Sequence, residues 1–211
     1  MSGLFVVLEG PDGSGKSTVA NELASRLAAE GESIVLTREP GGTEMGQAIR
    51  QILLDRDIER DPVTELLLMC ADRAEHVRSV IGPALERGAC VISDRYAGST
   101  RAYQGAGSGL NPDLVEQCIH IATDGLEPDL TVLLDIETDI GQIRRQQRPS
   151  AQNDIDRRSV EFHERVREGF LEQARLHTER WVVLDASGPV DRVVADVFRA
   201  VRAVKLAKAG Q

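Results

Sequence analysis

Residues 10–17 read Gly10-Pro11-Asp12-Gly13-Ser14-Gly15-Lys16-Ser17 and satisfy the pattern G-x-x-x-x-G-K-[ST]. This octapeptide follows an apolar run and opens a segment with helical periodicity. In that context the glycines let backbone N–H groups wrap around phosphate oxygens, and the helix N-terminus adds positive potential. Lys16 would neutralise the β- and γ-phosphates, and the hydroxyl of Ser17 suits Mg²⁺. The P-loop, defined here as residues 10–18 and ending at Thr18, therefore predicts a nucleoside triphosphate site with Mg²⁺.

Short β-branched runs alternate with helical patterns along the rest of the chain. Nearly continuous apolar runs predict buried parallel strands at Leu4–Glu9, Ser33–Thr37, Ala89–Ser93, Leu130–Ile136 and Trp181–Leu184. Apolar spacing of three to four predicts helices at Lys16–Glu30, Met45–Leu54, Val63–Glu86, from Asn111-Pro112 onward, Thr138–Gln147, about Asp156–Glu179 and from Val190. This alternation implies βαβ units, hence an α/β fold with a parallel sheet flanked by helices. Without an internal repeat or linker, residues 1–211 are predicted to form a single domain.

Two stretches match neither pattern. Ala97–Gly109 is rich in glycine and serine, and Arg148–Ile155 is polar throughout most of its length. Irregular stretches in a compact enzyme are often substrate loops or lids, and they can equally be ordinary surface loops. Both are predicted to be loops.

Composition and charge exclude several classes of protein. The chain is 41% hydrophobic and 28% charged, as in ordinary globular proteins, and its net charge of −9 argues against a general binder of nucleic-acid polymers. Its longest apolar run, Leu66–Ala71, is far shorter than the roughly 20 residues of a membrane helix. The N-terminus lacks the features of a signal peptide. The widely spaced Cys70, Cys90 and Cys118 suggest buried free thiols in a reducing compartment. The expected location is the cytoplasm, without a membrane partner.

Charged residues also follow the second and third predicted strands. Arg38 follows one strand, and Asp94-Arg95 follows the other. Open α/β sheets bind ligands beyond the carboxyl ends of their strands, so these residues should lie beside the P-loop. The guanidinium groups of Arg38 and Arg95 suit a second phosphate, and Asp94 suits Mg²⁺ or its water ligands. Switch GTPases usually carry Asn-Lys-x-Asp, and no Asn-Lys occurs in this chain, which favours a kinase.

Four segments resemble the thymidylate kinase family. They are the REPGGT hexapeptide at 38–43, the DRY triplet at 94–96, STRAYQG at 99–105 and LLLMCADRAEH at 66–76, and the similarity extends over nearly the whole chain. The resemblance implies a nucleoside-monophosphate kinase fold with strand order 2-3-1-4-5 and a short lid at about 145–156. It also implies a homodimer that phosphorylates dTMP to dTDP with ATP and Mg²⁺.

The same resemblance assigns the phosphate and sugar of dTMP. Arg38 and Arg95 would bind its phosphate, and Asp12 would contact the sugar 3′-hydroxyl. Tyr103 would crowd the 2′ position and favour deoxyribose.

For the base, the resemblance implies that Arg73 and Gln104 contact the thymine edge and that Ser99 helps to line the pocket. Met69 occupies a position where the family usually has a phenylalanine that stacks on thymine. A methionine sulfur still contacts an aromatic ring, with roughly 0.3–1.5 kcal/mol. We therefore expect weaker base binding.

The arginine of the lid is the second departure from the family pattern. The P-loop holds no arginine between Gly10 and Lys16, an arrangement that goes with lid arginines in this family. Asp154 occupies the usual arginine position. The candidates to replace that arginine are Arg144, Arg145, Arg148, Arg157 and Arg158. Arg148 is the predicted substitute, because it lies on the predicted lid. Lys16, Asp94, Arg95 and Arg148 form the predicted catalytic set.

Met69 and Asp154 depart from the family pattern, so other functions remain open. The chain could phosphorylate another pyrimidine deoxynucleotide or a different small molecule. It could also be a regulatory module that binds nucleotides without turnover, although the set Lys16, Ser17, Asp94 and Arg95 is intact and favours catalysis.

Overall fold

The computed structural model describes residues 3–55, 57–147 and 158–209. Its sheet has five parallel strands in the order β2-β3-β1-β4-β5, which confirms the predicted sheet. The strands are β1 (Leu4–Glu9), β2 (Ile34–Arg38), β3 (Cys90–Asp94), β4 (Leu130–Asp135) and β5 (Trp181–Asp185). Each lies within one residue of its predicted bounds.

Helices connect the strands and cover both faces of the sheet. They are α1 (Lys16–Ala29), α2 (Glu44–Leu54), α3 (Pro62–His76), α4 (Gly82–Glu86), α5 (Ala97–Thr100), α6 (Pro112–Thr123), α7 (Thr138–Gln146), α8 (Val160–Leu176) and α9 (Val190–Ala209). A π-helical turn, Val77–Ile81, joins α3 to α4, where a single helix was predicted. Pro83 in the first turn of α4 has no N–H to donate, so the hydrogen-bond register changes before it.

The prediction of a loop at Ala97–Gly109 is wrong. α5 continues directly into a π-helical segment, Arg101–Gly107, and together they form what we call the 97–107 helix. Its three glycines have low helix propensity, so tertiary contacts must stabilise it. One such contact is with α8, against which it packs closely.

The central strand β1 contributes to two apolar layers. Val6 and Leu8 pack with α1 and α9 on one face. Phe5 and Val7 point to the opposite face, which α3 and α6 cover. This alternation explains why β1 is buried at every position and apolar at all but its last.

The register brings the carboxyl ends of three strands to one edge. Leu8 of β1 and Arg38 of β2 both lie opposite Asp94 of β3. The P-loop leaves β1 at this edge, so the predicted phosphate residues converge there.

Some predictions concern parts of the chain that the structure does not describe. Arg148, Asp154 and the predicted irregular stretch Arg148–Ile155 lie outside the described residues. Among the cysteines, Cys70 and Cys90 are buried as expected, whereas Cys118 is only half-buried and packs against the apolar layer that α3 and α6 cover.

Candidate active site

A cavity of about 490 Å³ opens at the carboxyl end of the sheet. The P-loop, the ends of β2 and β3, and side chains from α2, α3 and the 97–107 helix line it. Its lining includes most of the predicted site residues, namely Asp12, Gly13, Ser14, Gly15, Lys16, Ser17, Thr18, Arg38, Met69, Asp94, Arg95, Ser99, Tyr103 and Gln104. Gly10, Pro11 and Arg73 lie behind this surface.

The P-loop lies tightly against the backbone of neighbouring segments. Gly10 has φ 145°, and a Cβ there would lie 2.4 Å from the carbonyl oxygen of Leu134. Gly13 has φ 89°, and its Cβ would meet the carbonyl oxygen of Gly141 at 2.6 Å. Both positions therefore require glycine for space as well as for backbone conformation.

Lys16 lies in the first turn of α1 with its ammonium group folded back over the P-loop. Its Nζ donates to the carbonyl oxygens of Gly10 and Pro11, each at 2.9 Å, and to Ser14 Oγ at 3.2 Å. Burial, together with the neighbouring charge of Arg95, lowers the pKa of Lys16 to about 8. The site thus holds a concentrated positive charge that an anionic ligand would stabilise.

Ser17 and Asp94 form an oxygen pair at the cavity wall. Ser17 Oγ donates to Asp94 Oδ2 at 2.5 Å, which joins α1 to the end of β3. Within the described ranges there is no group of three acidic, histidine or cysteine side chains placed to hold a metal ion. Mg²⁺ in phosphate-transfer sites commonly has one or two protein ligands and completes its shell with phosphate and water oxygens. A hydroxyl and one carboxylate fit that requirement.

Arg95 connects the P-loop to the rest of the cavity. Its Nη1 donates to the carbonyl oxygen of Gly10 at 3.2 Å and to Ser99 Oγ at 2.9 Å. Its Nη2 forms an ion pair with Asp12 and donates to the hydroxyl of Tyr103 at 3.3 Å. The backbone of Arg95 has φ 77°, a left-handed conformation that is costly for a residue other than glycine.

Asp12 and Tyr103 extend this cluster. The hydroxyl of Tyr103 donates to Asp12 Oδ2 at 2.8 Å, and the guanidinium carbon of Arg95 lies 5.1 Å from the centre of the Tyr103 ring. Burial raises the pKa of Tyr103, so its hydroxyl remains a hydrogen-bond donor at neutral pH. Arg95, predicted to bind the phosphate, is therefore in direct contact with Asp12 and Tyr103, predicted to contact the sugar.

The far end of the cavity combines apolar and amide groups. Met69 packs with Ile49 and Leu53 of α2. Gln104 Nε2 donates to Glu65 Oε1 at 2.6 Å, and the second oxygen of Glu65 lies 3.5 Å from Arg158 Nη2. This end offers apolar side chains together with a few polar groups, a combination that suits a nucleotide base.

Arg73 is fully buried and does not line the cavity. Its Nε donates to Glu39 at 2.8 Å, its Nη1 to the hydroxyl of Thr100 at 3.0 Å, and its Nη2 to the carbonyl oxygen of Tyr96 at 2.9 Å. Arg73 thereby ties α3 to the 97–107 helix and to the segment after β2.

His76 and Glu39 form a second buried pair beneath the segment that follows β2. His76 Nδ1 lies 2.9 Å from Glu39 Oε1, and its Nε2 lies 2.6 Å from the hydroxyl of Thr37. These contacts hold the chain on both sides of Arg38, whose exposed side chain lines the cavity.

Comparison with known proteins gives a consistent result. The family model for thymidylate kinase matches residues 8–197. The chain is 46% identical to a thymidylate kinase of Deinococcus radiodurans over 199 residues, covering 94% of this chain and 96% of the relative. It is 48% identical to that of Cereibacter sphaeroides over 198 residues, covering 92% and 91%. A third relative, from Lactobacillus acidophilus, is 43% identical over 200 residues, covering 93% of each chain. The chain belongs to the thymidylate kinase family.

In this thymidylate kinase family member, sequence reasoning missed three acidic residues that shape the cavity. Glu9, Glu39 and Glu65 are buried acids that contact the predicted site residues. Arg144 donates to the carbonyl oxygens of Ala186 and Ser187, both at 2.9 Å, and lines the end of the cavity near α7. Glu9 and Glu65 carried a signal, since an acidic residue at the end of an apolar strand or on a helix usually needs a partner when it is buried. Glu39 follows β2 and carried no such signal. Arg144 was among the arginines predicted as candidates for the lid.

Proposed function

We propose that the protein transfers the γ-phosphoryl group of ATP to the phosphate of dTMP, giving ADP and dTDP, within this cavity. Membership of the thymidylate kinase family supports both the reaction and its donor. The observation that carries the proposal is the position of Arg95. One guanidinium contacts the P-loop at Gly10 and Asp12 and also contacts Ser99 and Tyr103 of the 97–107 helix, on the acceptor side.

The residues of this chain perform the transfer by orientation and charge neutralisation. Two polyanions must approach in line, and their repulsion is the main obstacle. Lys16 would offset the charge of the donor phosphates, whereas Arg38 and Arg95 would bind the acceptor phosphate. The acceptor oxygen is already ionised, so no general base is needed. Mg²⁺, when bound, supplies further neutralisation at the donor phosphates, and Ser17 and Asp94 would hold it.

The remaining predicted contacts define the acceptor. Asp12 would accept from the 3′-hydroxyl, and Tyr103 would leave little space for a 2′-hydroxyl. Gln104 would contact the base edge, with Met69 against the face of the base. Arg73 would support the base end of the cavity from behind its surface. Its guanidinium already donates to three partners there, namely Glu39, Thr100 and Tyr96. Arg148 stays the proposed lid arginine.

The test is ADP formation from ATP and Mg²⁺ with a panel of acceptors: dTMP, dUMP, dCMP, dAMP, shikimate and gluconate. We expect turnover to be strongest with dTMP and to fall by about 10³-fold or more in Arg95→Ala. The exposed ion-pair variant Arg101→Ala, whose partner is Glu116, is the matched control and should stay within about twofold. Turnover strongest with another acceptor, or ATP binding without any acceptor-dependent turnover, would contradict the proposal.

We further propose that the protein is a cytoplasmic homodimer that associates through α3 and α6. These two helices pack side by side and leave apolar side chains on their outer surface. Leu67 on α3 is 54% exposed and Ile121 on α6 is 79% exposed, with Val63 and Leu114 beside them in the same helical rows. An exposed apolar row across two neighbouring helices of an acidic protein suits an isologous interface. No helix in the described part of the chain is long and apolar enough to cross a membrane.

The dimer is tested by sedimentation velocity at micromolar concentration. We expect the wild type to sediment as a dimer and Leu67→Glu/Ile121→Glu to sediment as a monomer with an unchanged circular dichroism spectrum. Leu206→Glu is the control, because Leu206 is similarly exposed, at 68%, but lies on α9. A monomeric wild type, or a dimer that only the Leu206 variant disrupts, would show the interface to be wrong.

A further inference from the structure

Glu9 is the last residue of β1 and directly precedes the P-loop. It is fully buried, yet it is a carboxylate at the end of an otherwise apolar strand. Its Oε1 accepts from the backbone N–H groups of Tyr96 and Ser99, both at 2.9 Å. Its Oε2 accepts from the hydroxyl of Ser99 at 2.6 Å. All three donors belong to the segment that immediately follows Arg95.

The two backbone contacts cap a helix. Tyr96 is the N-cap of the 97–107 helix, and its side chain makes no capping hydrogen bond. The first N–H groups of a helix have no partner within it and need one from outside. Glu9 supplies that acceptor from another strand, 87 residues away in sequence from Tyr96. It thus fixes the start of the helix on the P-loop side of the sheet.

The cap also contributes to the unusual backbone conformation of Arg95. The chain reverses between β3 and the 97–107 helix at this residue, whose φ is 77°. Such a conformation costs roughly 1–2 kcal/mol for an L-residue other than glycine, so neighbouring contacts must maintain it. Arg95 N donates to the carbonyl oxygen of Leu8 at 3.0 Å, and its carbonyl oxygen accepts from Ser93 Oγ at 2.7 Å. The hydrogen bond from Tyr96 N to Glu9 adds a contact at the residue on the C-terminal side.

The third contact reaches the guanidinium itself. Ser99 has one hydroxyl hydrogen, which it donates to Glu9. Its oxygen is then available as an acceptor, and Arg95 Nη1 donates to it at 2.9 Å. A chain of two hydrogen bonds therefore runs from Glu9 through Ser99 to Arg95. Burial raises the pKa of Glu9, while Arg95 and these hydrogen bonds act in the opposite direction.

We propose that Glu9 is the positioning residue for Arg95, acting on its backbone through the helix cap and on its guanidinium through Ser99. The role rests on the proposed function, in which Arg95 binds the acceptor phosphate. Glu9 lies outside the cavity lining, so it acts without touching substrate. Ser99, predicted to help line the base pocket, also transmits this positioning.

The test compares Glu9→Gln with a matched control in steady-state kinetics. Glutamine keeps the size of the side chain, but its amide nitrogen cannot accept a hydrogen bond, so at least one of the three donors loses its partner. We expect KM for dTMP to rise about tenfold or more while KM for ATP stays within about twofold. Asp129→Asn is the control: Asp129 accepts from Phe5 N at 2.8 Å at the opposite end of β1. It should leave KM for dTMP within about twofold, whatever its effect on Tm.

Coupling to Arg95 distinguishes positioning from a general loss of structure. In an Arg95→Ala background, Glu9→Gln should change KM for dTMP by less than about twofold, because the group that it positions is absent. Equal effects in both backgrounds would overturn the proposal, as would an unchanged KM for dTMP in the single variant.

Ser99→Ala tests the same chain of contacts without disturbing the cap. It also provides an independent test if the Glu9→Gln variant does not fold. It removes the hydroxyl but keeps both backbone N–H contacts to Glu9. We expect a smaller rise in KM for dTMP, about threefold, again absent in Arg95→Ala; an unchanged KM would contradict transmission through Ser99. A wild type inactive with dTMP would refute the proposed function itself. An active wild type with unaffected Glu9→Gln and Ser99→Ala variants would refute only the role of Glu9.

Discussion

Lys16 shows how a buried charge can be tuned by its surroundings. Its pKa of about 8 lies well below that of an ordinary lysine because the ammonium is desolvated and lies near Arg95. As pH rises through 8, the free protein loses this charge, and with it the attraction for triphosphate. The protonated form therefore favours ATP binding at and below neutral pH.

We therefore predict that the affinity for ATP decreases above about pH 8. Isothermal titration calorimetry of Mg²⁺-ATP binding between pH 7 and 9.5 should show a Kd that rises about tenfold per pH unit once the lysine is neutral. Circular dichroism over the same range controls for unfolding. A Kd that stays constant up to pH 9.5 would contradict the prediction.

Asp72 presents the opposite case, a buried acid with too few partners. Its Oδ1 accepts from Gly41 N at 2.9 Å, and its Oδ2 has no hydrogen-bond partner among the described residues. Burial and the nearby charge of Glu39 raise its pKa to about 6. Since the unfolded chain releases this proton near pH 4, the folded state binds one more proton between about pH 4 and 6. The contribution of Asp72 to stability is therefore lost as pH rises through that range.

Asp72→Asn should remove this dependence. The amide cannot ionise, so the difference in unfolding free energy between variant and wild type should become more favourable to the variant from pH 4 to pH 7, by on the order of 3 kcal/mol. Thermal unfolding of both proteins at pH 4, 5.5 and 7 measures the change. A difference independent of pH would show that Asp72 titrates normally.

Among the elements, the 97–107 helix depends most on its neighbours. It packs against α8 through glycines, and a Cβ on Gly107 would lie 2.8 Å from side-chain atoms of Phe162 and Val166. A Cβ on Gly105 would have no atom within 4 Å, although both glycines belong to the same helical segment. The two residues therefore form a matched pair in which only the packing differs.

We predict that Gly107→Ala destabilises the protein by about 1–3 kcal/mol, the usual cost of overpacking a tight contact. Gly105→Ala should be neutral or stabilising, because alanine has the better helix propensity by roughly 1 kcal/mol. Urea denaturation followed by fluorescence of Trp181 measures both. Equal effects would mean that α8 can move away without cost.

The same helix shows where sequence patterns were insufficient. Each strand was predicted within one residue, because continuous β-branched runs between helices have few alternatives in an α/β fold. The stretch at 97–107 contains no apolar periodicity, and its helix forms because Glu9 caps it and α8 covers it. Both contacts join distant parts of the chain, so no local window of sequence contains them.

In the site, the P-loop and the strand-end residues were predictable because each belongs to a local motif at a fixed end of the sheet. Glu9, Glu39 and Glu65 were not assigned, since their partners are 34 or more residues away in sequence. Arg73 was expected at the base edge on resemblance, and its three buried contacts become visible only when α3, β2 and the 97–107 helix are placed together.

At the scale of the whole molecule, ion pairs attach the C-terminal helix to segments that lie far earlier in the chain. On α9, Arg202 pairs with Glu30 at 2.5 Å, Lys205 pairs with Glu32, and Lys208 pairs with Asp129 at 2.7 Å. Lys208 also donates to the carbonyl oxygen of Gly3 at 2.8 Å. These contacts link the two ends of the chain on the side of the sheet remote from the cavity.

Lys208→Ala should lower the free energy of unfolding by about 1 kcal/mol, and the loss should shrink in 0.5 M NaCl because salt screens a half-exposed pair. Arg199→Ala is the control on the same helix, since Arg199 pairs only locally with Asp196. Guanidinium would itself screen charges, so urea is the appropriate denaturant. A loss that does not depend on salt would mean that packing, and not charge, attaches the end of α9.

The position of β1 at the centre of the sheet has a consequence for synthesis on the ribosome. β1 is the first strand to emerge, but its neighbours are β3 and β4, which end at Asp94 and Asp135. Until Asp135 has cleared the exit tunnel, one edge of the most apolar strand has no backbone partner, and such edges favour aggregation. The nascent chain therefore cannot complete its sheet by sequential addition. It must keep the P-loop strand shielded until the chain has been translated past Asp135.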